Sequence, residues 1–263
     1  MDSVEEHADI SGRVIPRNDV TAWTAAIHSE IGRASPWLRE ANFRRIGTDD
    51  LERMFDLYDE RFFGGWLRRR LAEKRAGLFF RLSRRMARTG GKIAWHPPGR
   101  GRDGWYEIVL ASRLLFMTFA DVQRPVAMCG LTCHNRLEAL QRLLEHEIVH
   151  LVEMLAWDQT SCSGQRFRTL ASHLFGHTDT NCDLVTPAEQ AAVRHGLRPG
   201  DMAEFDYDGR RLVGRINRIG QRATVLVADP GGRRYSDGGT YAKFYVSLPS
   251  LRPAPTSPRR PAP

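Results

Sequence analysis

Residues 143–155 read LLEHEIVHLVEML, and the reading of the whole chain turns on them. Leu143, Leu144, Ile148, Leu151, Val152 and Leu155 recur at three- and four-residue steps. With Leu137 and Leu140 they extend one apolar stripe from about Asn135 to Trp157. That period predicts the strongest helix of the chain. His146-Glu147-Ile148-Val149-His150, an H-E-x-x-H, lies in its middle. Residues four apart share a helical face, so both imidazoles reach one metal ion, each nitrogen ~2.0–2.1 Å from zinc. Glu147 stands beside them and is placed to take a proton from water on the ion. Zinc lowers the pKa of that water towards neutrality and so makes a nucleophile for an amide carbonyl. The plainer alternative is two helical histidines on a solvated or half-buried face.

Working outward, Leu51, Met54, Phe55, Tyr58 and Phe62 have helical spacing, with Thr48 as cap and Gly64-Gly65 as stop. Trp66, Leu67 and Leu71 carry a second segment. Before these, Val20, Trp23, Ile27 and Ile31 mark a docking helix behind Asn18 and Asp19 as caps, inside an N-terminal extension of residues 1–45. GLFFRLSRRM (77–86) alternates weakly, residues 87–104 are turn-rich, and WYEIVL (105–110) reads as a strand. Residues 114–119 read as a short helix or loop. Past the metal motif, Phe167, Leu170, Ala171 and Leu174 predict a helix from Gly164 to Phe175 that stops at Gly176. Thr186-Pro187-Ala188-Glu189 opens another with a capping box, ended by Gly196. From there the pattern turns to β: a hairpin about Asp208-Gly209, a turn at Pro230-Gly231-Gly232, and further strands to about Leu251. Such short, evenly spaced strands predict a small all-β barrel of the SH3-like kind over 186–251. The Pro/Arg tail, 252–263, is expected to be disordered.

Taken in order, several stretches resemble the SprT-like zinc metalloprotease family, which includes the SprT and Spartan proteins. LYDERFFGGWL (57–67) resembles its first-helix motif. FRLSRRMARTGGKI (80–93) followed by WYEIVLASRLL (105–115) resembles its glycine turn and strand. LLEHEIVHLVEML carries the metal motif, and SGQRFRTLASHLFG (163–176) resembles its following helix. The resemblance covers about residues 46–180. It implies an α+β, zincin-like domain over 46–185, helices packed on a small sheet, with His146 and His150 as zinc ligands and Glu147 as catalytic base. The family presents a third histidine in an H-G-x-x-F pattern, where this chain reads Ser163-Gly164-Gln165-Arg166-Phe167. Serine is a poor zinc ligand, so the third ligand is Cys162 after a one-residue shift, or His177, or water. His173 lies further along the next helix, and His177 just past its end. A thiolate would donate more charge to zinc and make its water less acidic. Glu153, three residues past His150, reads as an orienting partner of a ligand imidazole or as half of a surface pair.

Length and composition set the outer bounds. With 263 residues, 41% of them hydrophobic and 27% charged, the chain supports a sizeable core. No 18-residue apolar run predicts a membrane span, and the acidic MDSVEEHADI start lacks a secretory apolar region. Four cysteines are too few for a disulfide scaffold, so a reduced, cytoplasmic setting is expected. Cys129, Cys133 and His134 do not have zinc-ribbon spacing, and with Cys182 they read as small buried groups. The net charge of +8 invites DNA or RNA at a basic surface. Arg68–Arg70, Arg75 and residues 81–88 supply it, with Trp66, Phe79, Phe80 and Trp95 to stack bases. Only Lys74, Lys92 and Lys243 are lysines, however, and such an arginine bias also arises in a GC-rich genome. Arg210, Arg211, Arg215, Arg218 and Arg222 are expected on solvent-facing strand positions. The function expected is a zinc-dependent endopeptidase acting on protein or peptide, with nucleic-acid-associated proteins as a substrate class implied by the Spartan resemblance. The alternative is a non-catalytic zinc-containing module, or a pseudo-peptidase, acting through the basic surface and barrel.

Overall fold

The computed structural model describes residues 10–254, and the sequence-based expectations for the first nine residues and for 255–263 lie outside them. The chain divides into two units. Residues up to Phe119 with Gln123–Leu184 make one, and Ala120–Val122 with the residues from Val185 onward make the other.

The first unit mixes helices and sheet. Helices α1 (Arg17–Ala34), α2 (Thr48–Tyr58) and α3 (Trp66–Glu73) precede strands β1 (Gly77–Leu82), β2 (Gly91–His96) and β3 (Trp105–Leu110). Then come α4 (Ser112–Met117), a hairpin of β4 (Val126–Met128) and β5 (Leu131–Cys133), α5 (Arg136–Trp157) and α6 (Gln165–Phe175). The sheet runs β1-β3-β2, with β1 parallel and β2 antiparallel to β3, so β2 is an edge strand. Helix α5 lies against β2 and β3. Its stripe of Leu137, Leu140, Leu144, Ile148, Leu151 and Leu155 is fully buried, which is where an amphipathic period must end up to remove its apolar area from water. Ile27 and Ile31 of α1 join the same core as α2 and α5.

Local chemistry explains the element ends and corrects three expectations. Helix α1 starts at Arg17 after Pro16, so Asn18 and Asp19 fall in its first turn rather than at the cap. Gly47 is the N-cap of α2, not Thr48, and Asp50 Oδ2 accepts its N–H at 2.8 Å. The turn-rich stretch holds strand β2, paired through Ile93 with Ile108. Past α2 the helix widens to a π-turn over Asp59–Phe63 and stops at Gly64 and Gly65, both left-handed. Buried Asp59 then accepts the N–H groups of Leu67 and Arg68, both at 2.9 Å, capping α3.

The second unit carries α7 (Pro187–His195) and strands β6 (Met202–Tyr207), β7 (Arg210–Ile219), β8 (Ala223–Arg234), β9 (Thr240–Val246) and β10 (Arg252–Pro253). The Thr186–Glu189 capping box forms, and Gly196 ends α7 with φ 63°. Asp208 and Gly209 both take positive φ, as a type I′ hairpin turn requires. The strands make one antiparallel sheet, β10-β6-β7-β8-β9. Among the described residues β9 and β10 do not pair, so the sheet stays open and the closed barrel expected from strand spacing is corrected. The Pro230-Gly231-Gly232 stretch is not a turn between strands. It lies within β8, where the register shifts between Ala228 and Arg233, so turn chemistry serves a bulge. The predicted disordered tail begins with ordered residues, since Arg252 and Pro253 pair with Glu204 and Ala203. Phe205, Ile216, Val225 and Leu251 fill the core of this unit.

Candidate metal centre

Helix α5 is anchored at its start before its middle is used. Asn135 Oδ1 accepts the Glu138 N–H at 2.9 Å, and Glu138 Oε2 accepts the His134 N–H at 2.8 Å. Three consecutive polar residues, Glu145, His146 and Glu147, are then buried in mid-helix. Buried polar groups need partners, and each of the three meets this demand differently.

Glu145 is fully paired. It accepts from Tyr58 Oη at 2.6 Å, from Arg142 Nη1 at 2.8 Å and from His177 Nε2 at 2.8 Å. Burial alone would raise its pKa, but Arg142, His177 and Tyr58 outweigh burial and hold it below the usual carboxylate range. His177 is thereby committed to Glu145, and it is absent from the clusters whose ligand atoms converge. It was the second candidate for third ligand, and its partner in this structure is a carboxylate. His173 is likewise in neither cluster.

His150 is oriented by a relay. Its Nδ1 lies 2.5 Å from Thr160 Oγ1, and Thr160 donates to Glu153 Oε2 at 2.7 Å. A hydroxyl has one proton. Since Thr160 gives its own to Glu153, His150 Nδ1 must donate, which leaves the Nε2 lone pair as the ligand atom. Arg166 Nε, 2.9 Å from Glu153 Oε1, fixes the carboxylate in turn. Glu153 thus orients the His150 imidazole, but through Thr160 rather than by contact. Phe167 packs on both imidazoles, its ring centroid 4.9 Å from His146 and 4.4 Å from His150.

The ligand atoms of His146, His150 and Cys162 all lie within 4.8 Å of one another. Ser163, where the family pattern has its histidine, hydrogen-bonds Ser161 Oγ at 2.9 Å. Burial lowers the pKa of both histidines, to about 3 for His146 and about 4 for His150, with His150 as a further cause at His146. Both rings are therefore neutral at physiological pH, the form that binds metal. Glu147 is 2% exposed, and its Oε2 is buried without a hydrogen-bond partner. Burial first, then Cys182, pushes its pKa well above the usual carboxylate range. A Cβ at Gly91 would overlap the Glu147 carboxylate, so glycine is what lets strand β2 approach the helix here. Gly91, Ile93, His146, Glu147, His150 and Cys162 share one cavity of about 600 Å³.

Two imidazoles, a thiol and an orphaned buried carboxylate oxygen suit a zinc-class ion. Compared with models of protein families, with curated proteins and with solved structures, the chain matches none.

Other sequence-marked residues fall elsewhere. Cys133 Sγ faces the Leu131 carbonyl at 3.7 Å, and burial pushes its pKa to about 12. Trp66 is buried, and Phe80 packs against the core, so neither offers a face for base stacking, while Phe79 and Trp95 stay exposed. Arg68 pairs with Glu52 and Asp56, Arg70 with Glu73, and Arg81 with Glu107. Arg210, Arg211, Arg218 and Arg222 are exposed as expected, and Arg215 is half-buried beside Asp237. Among the described residues no helix is long and apolar enough to cross a membrane. The residues that sequence reading did not single out are Thr160 and Glu145.

Thr160→Val keeps the shape and removes the relay. Zinc affinity is expected to fall about 10–100-fold with the fold retained, measured by competition against a chromogenic chelator. An unchanged affinity would mean that Thr160 does not set the His150 tautomer.

Proposed function

We propose that the first unit is a zinc-dependent endopeptidase, with His146, His150 and Cys162 as ligands and Glu147 as the proton-transfer residue. The observation that carries this reading is the Glu147 carboxylate. It is buried and unpartnered, and it lies in one cavity with the imidazole pair and an exposed strand edge. An unpaired buried carboxylate costs stability, and a group kept at such a cost is a candidate for function.

Among the described residues β2 pairs on one side only, with β3, and an extended polypeptide can add to such an edge as a further strand. That docking aligns a peptide carbonyl along the cavity that Gly91 and Ile93 line. An ion of the zinc class, when bound, supplies Lewis acidity there. Glu147 accepts a proton from the attacking water and returns it to the departing amine. Burial raises its pKa, which favours holding the proton once it has been taken, and beside a bound cation the carboxyl favours the ionised form that accepts it. His150, held by Thr160 and Glu153, presents a fixed lone pair. The resemblance to SprT-like proteases supports the same reading. For the second unit, strand order β10-β6-β7-β8-β9 with a 3-10 turn before β10 supports an SH3-like reading, as a module that recruits substrate. Proteins associated with nucleic acid are the substrate class that the Spartan resemblance adds.

The test is cleavage of an unfolded protein such as casein by the zinc-loaded chain. Cleavage should stop with a zinc chelator and return when zinc is restored. Zinc bound stoichiometrically with no cleavage would instead assign a non-catalytic metal module.

A further inference from the structure

A second set of donors shares His146 with the site just described, and one of them, Cys182, lines the same cavity. Cys129 is fully buried yet takes a left-handed backbone, φ 54°, and Gly130 follows at φ 78°. They are the central pair of the tight β4–β5 turn, in which Met128 pairs with Leu131. Asn, Asp or Gly normally fills the first of these positions, and a buried cysteine there is an outlier that asks for a reason. The surroundings hold it in place. Its N–H donates to the Asn181 carbonyl at 2.7 Å, and its carbonyl accepts from Thr178 and Asp179 at 3.0 and 3.2 Å. The result is a sulfur presented to two other donors: Cys129 Sγ lies 3.7 Å from His146 Nδ1 and 3.9 Å from Cys182 Sγ. Cys182 arrives on a segment bridged to Met128.

The spacing identifies the relation. A disulfide would bring the sulfurs to about 2.05 Å, and both cysteines are free. An ion held tetrahedrally by sulfur at ~2.3 Å and nitrogen at ~2.0–2.1 Å sets the ligand edges at about 3.8 Å for S···S and about 3.6 Å for S···N. The two observed separations are close to those edges, and all three ligand atoms lie within 4.8 Å of one another.

We propose that Cys129, Cys182 and His146 Nδ1 form a second metal site, thiolate-rich and suited to a borderline-soft ion of the zinc class. It ties the β4–β5 turn and the 178–184 segment to helix α5 at the wall of the cavity described above. His146 uses Nδ1 here, which leaves Nε2 for the His150 and Cys162 side. With both sites filled His146 is a bridging imidazolate, and its ring proton leaves with the two thiol protons.

The experiment is zinc content per chain by elemental analysis, with circular dichroism to confirm folding. Two zinc ions are expected in the native chain, one in Cys182→Ser, one in His150→Ala and none in His146→Ala. A cobalt-loaded Cys162→Ala chain should keep thiolate-to-cobalt charge-transfer absorption and lose it when Cys129 and Cys182 are also changed to serine. One zinc in the native chain, kept in Cys129→Ser and Cys182→Ser, would overturn the proposal. One zinc kept in His150→Ala but lost in Cys182→Ser would support it while sinking the peptidase centre, so the two readings fail separately.

Discussion

Glu147→Gln should lower peptide-bond cleavage by about 10²–10⁴-fold, the range for a positioned acid–base group, and leave zinc content unchanged. The two side chains have nearly the same shape, so the amide keeps the close approach to Gly91 that excludes even a methyl group there. What it loses is the capacity to accept and return a proton. A stability gain should accompany the activity loss. Glu147 Oε2 is buried without a partner, and burial holds its pKa well above that of the unfolded chain, so at neutral pH folding must either take up a proton or bury a charge, a cost that a neutral amide does not carry. A melting temperature that rises while kcat/KM falls marks a residue held against the interest of the fold. A parallel loss of zinc would show instead that Glu147 holds the ion or the helix. Unchanged cleavage would place the proton-transfer group elsewhere.

Helix α5, with its two histidines four apart, was legible because its information is local. Eight apolar residues at helical steps and two histidines four apart need no tertiary contact to be read, and α5 spans Arg136–Trp157 with Asn135 as cap. Cys162 entered only through the family resemblance, whose third-ligand pattern has serine at 163 here and left Cys162, His177 or water, and the structure brings its sulfur within 4.8 Å of the His146 and His150 ligand atoms. Thr160 was not legible, because its contact with His150 depends on how residues 158–164 turn back after the helix. Nor was the approach of Cys129 and Cys182, 53 residues apart, since no spacing rule covers donors brought in by separate loops. Strand β2 was hidden by its own composition. Gly90 just before it and Gly91 at its start allow close approach to Leu143 and Glu147, and glycines in sequence read as a turn. The strands of the second unit were legible by alternation, but whether the outer strands meet depends on twist and register summed over the sheet. Pro230-Gly231-Gly232 misled for a related reason: the same residues serve a turn and a bulge.

Arg136→Met should destabilise the first unit by about 3 kcal/mol, the upper end of the cost of leaving a buried acceptor without its donor, since several carbonyls lose theirs at once. Arg136 is 5% exposed, and its guanidinium donates to five backbone carbonyls, those of Asn42, Phe43, Leu115, Phe116 and Thr118. Three of these belong to the C-terminal end of α4, where helix carbonyls have no partner within the helix and a cation meets the negative end of the dipole. The other two come from the loop before α2. That loop also caps the metal helix, since Asn42 Oδ1 accepts the Arg136 N–H and the Ala41 carbonyl accepts that of Leu137, both at 2.9 Å. One side chain therefore joins three segments at the start of α5. Methionine fills similar volume, so packing is conserved and the loss isolates the orphaned carbonyls. In urea the midpoint should fall with the slope unchanged, and zinc affinity should weaken less than in Thr160→Val because the ligands sit more than two turns further along the helix. A loss below about 1 kcal/mol would mean that water replaces the guanidinium at these carbonyls. In a chain with so many arginines, nothing in the sequence separates this one from those on the surface. Its burial against five carbonyls does.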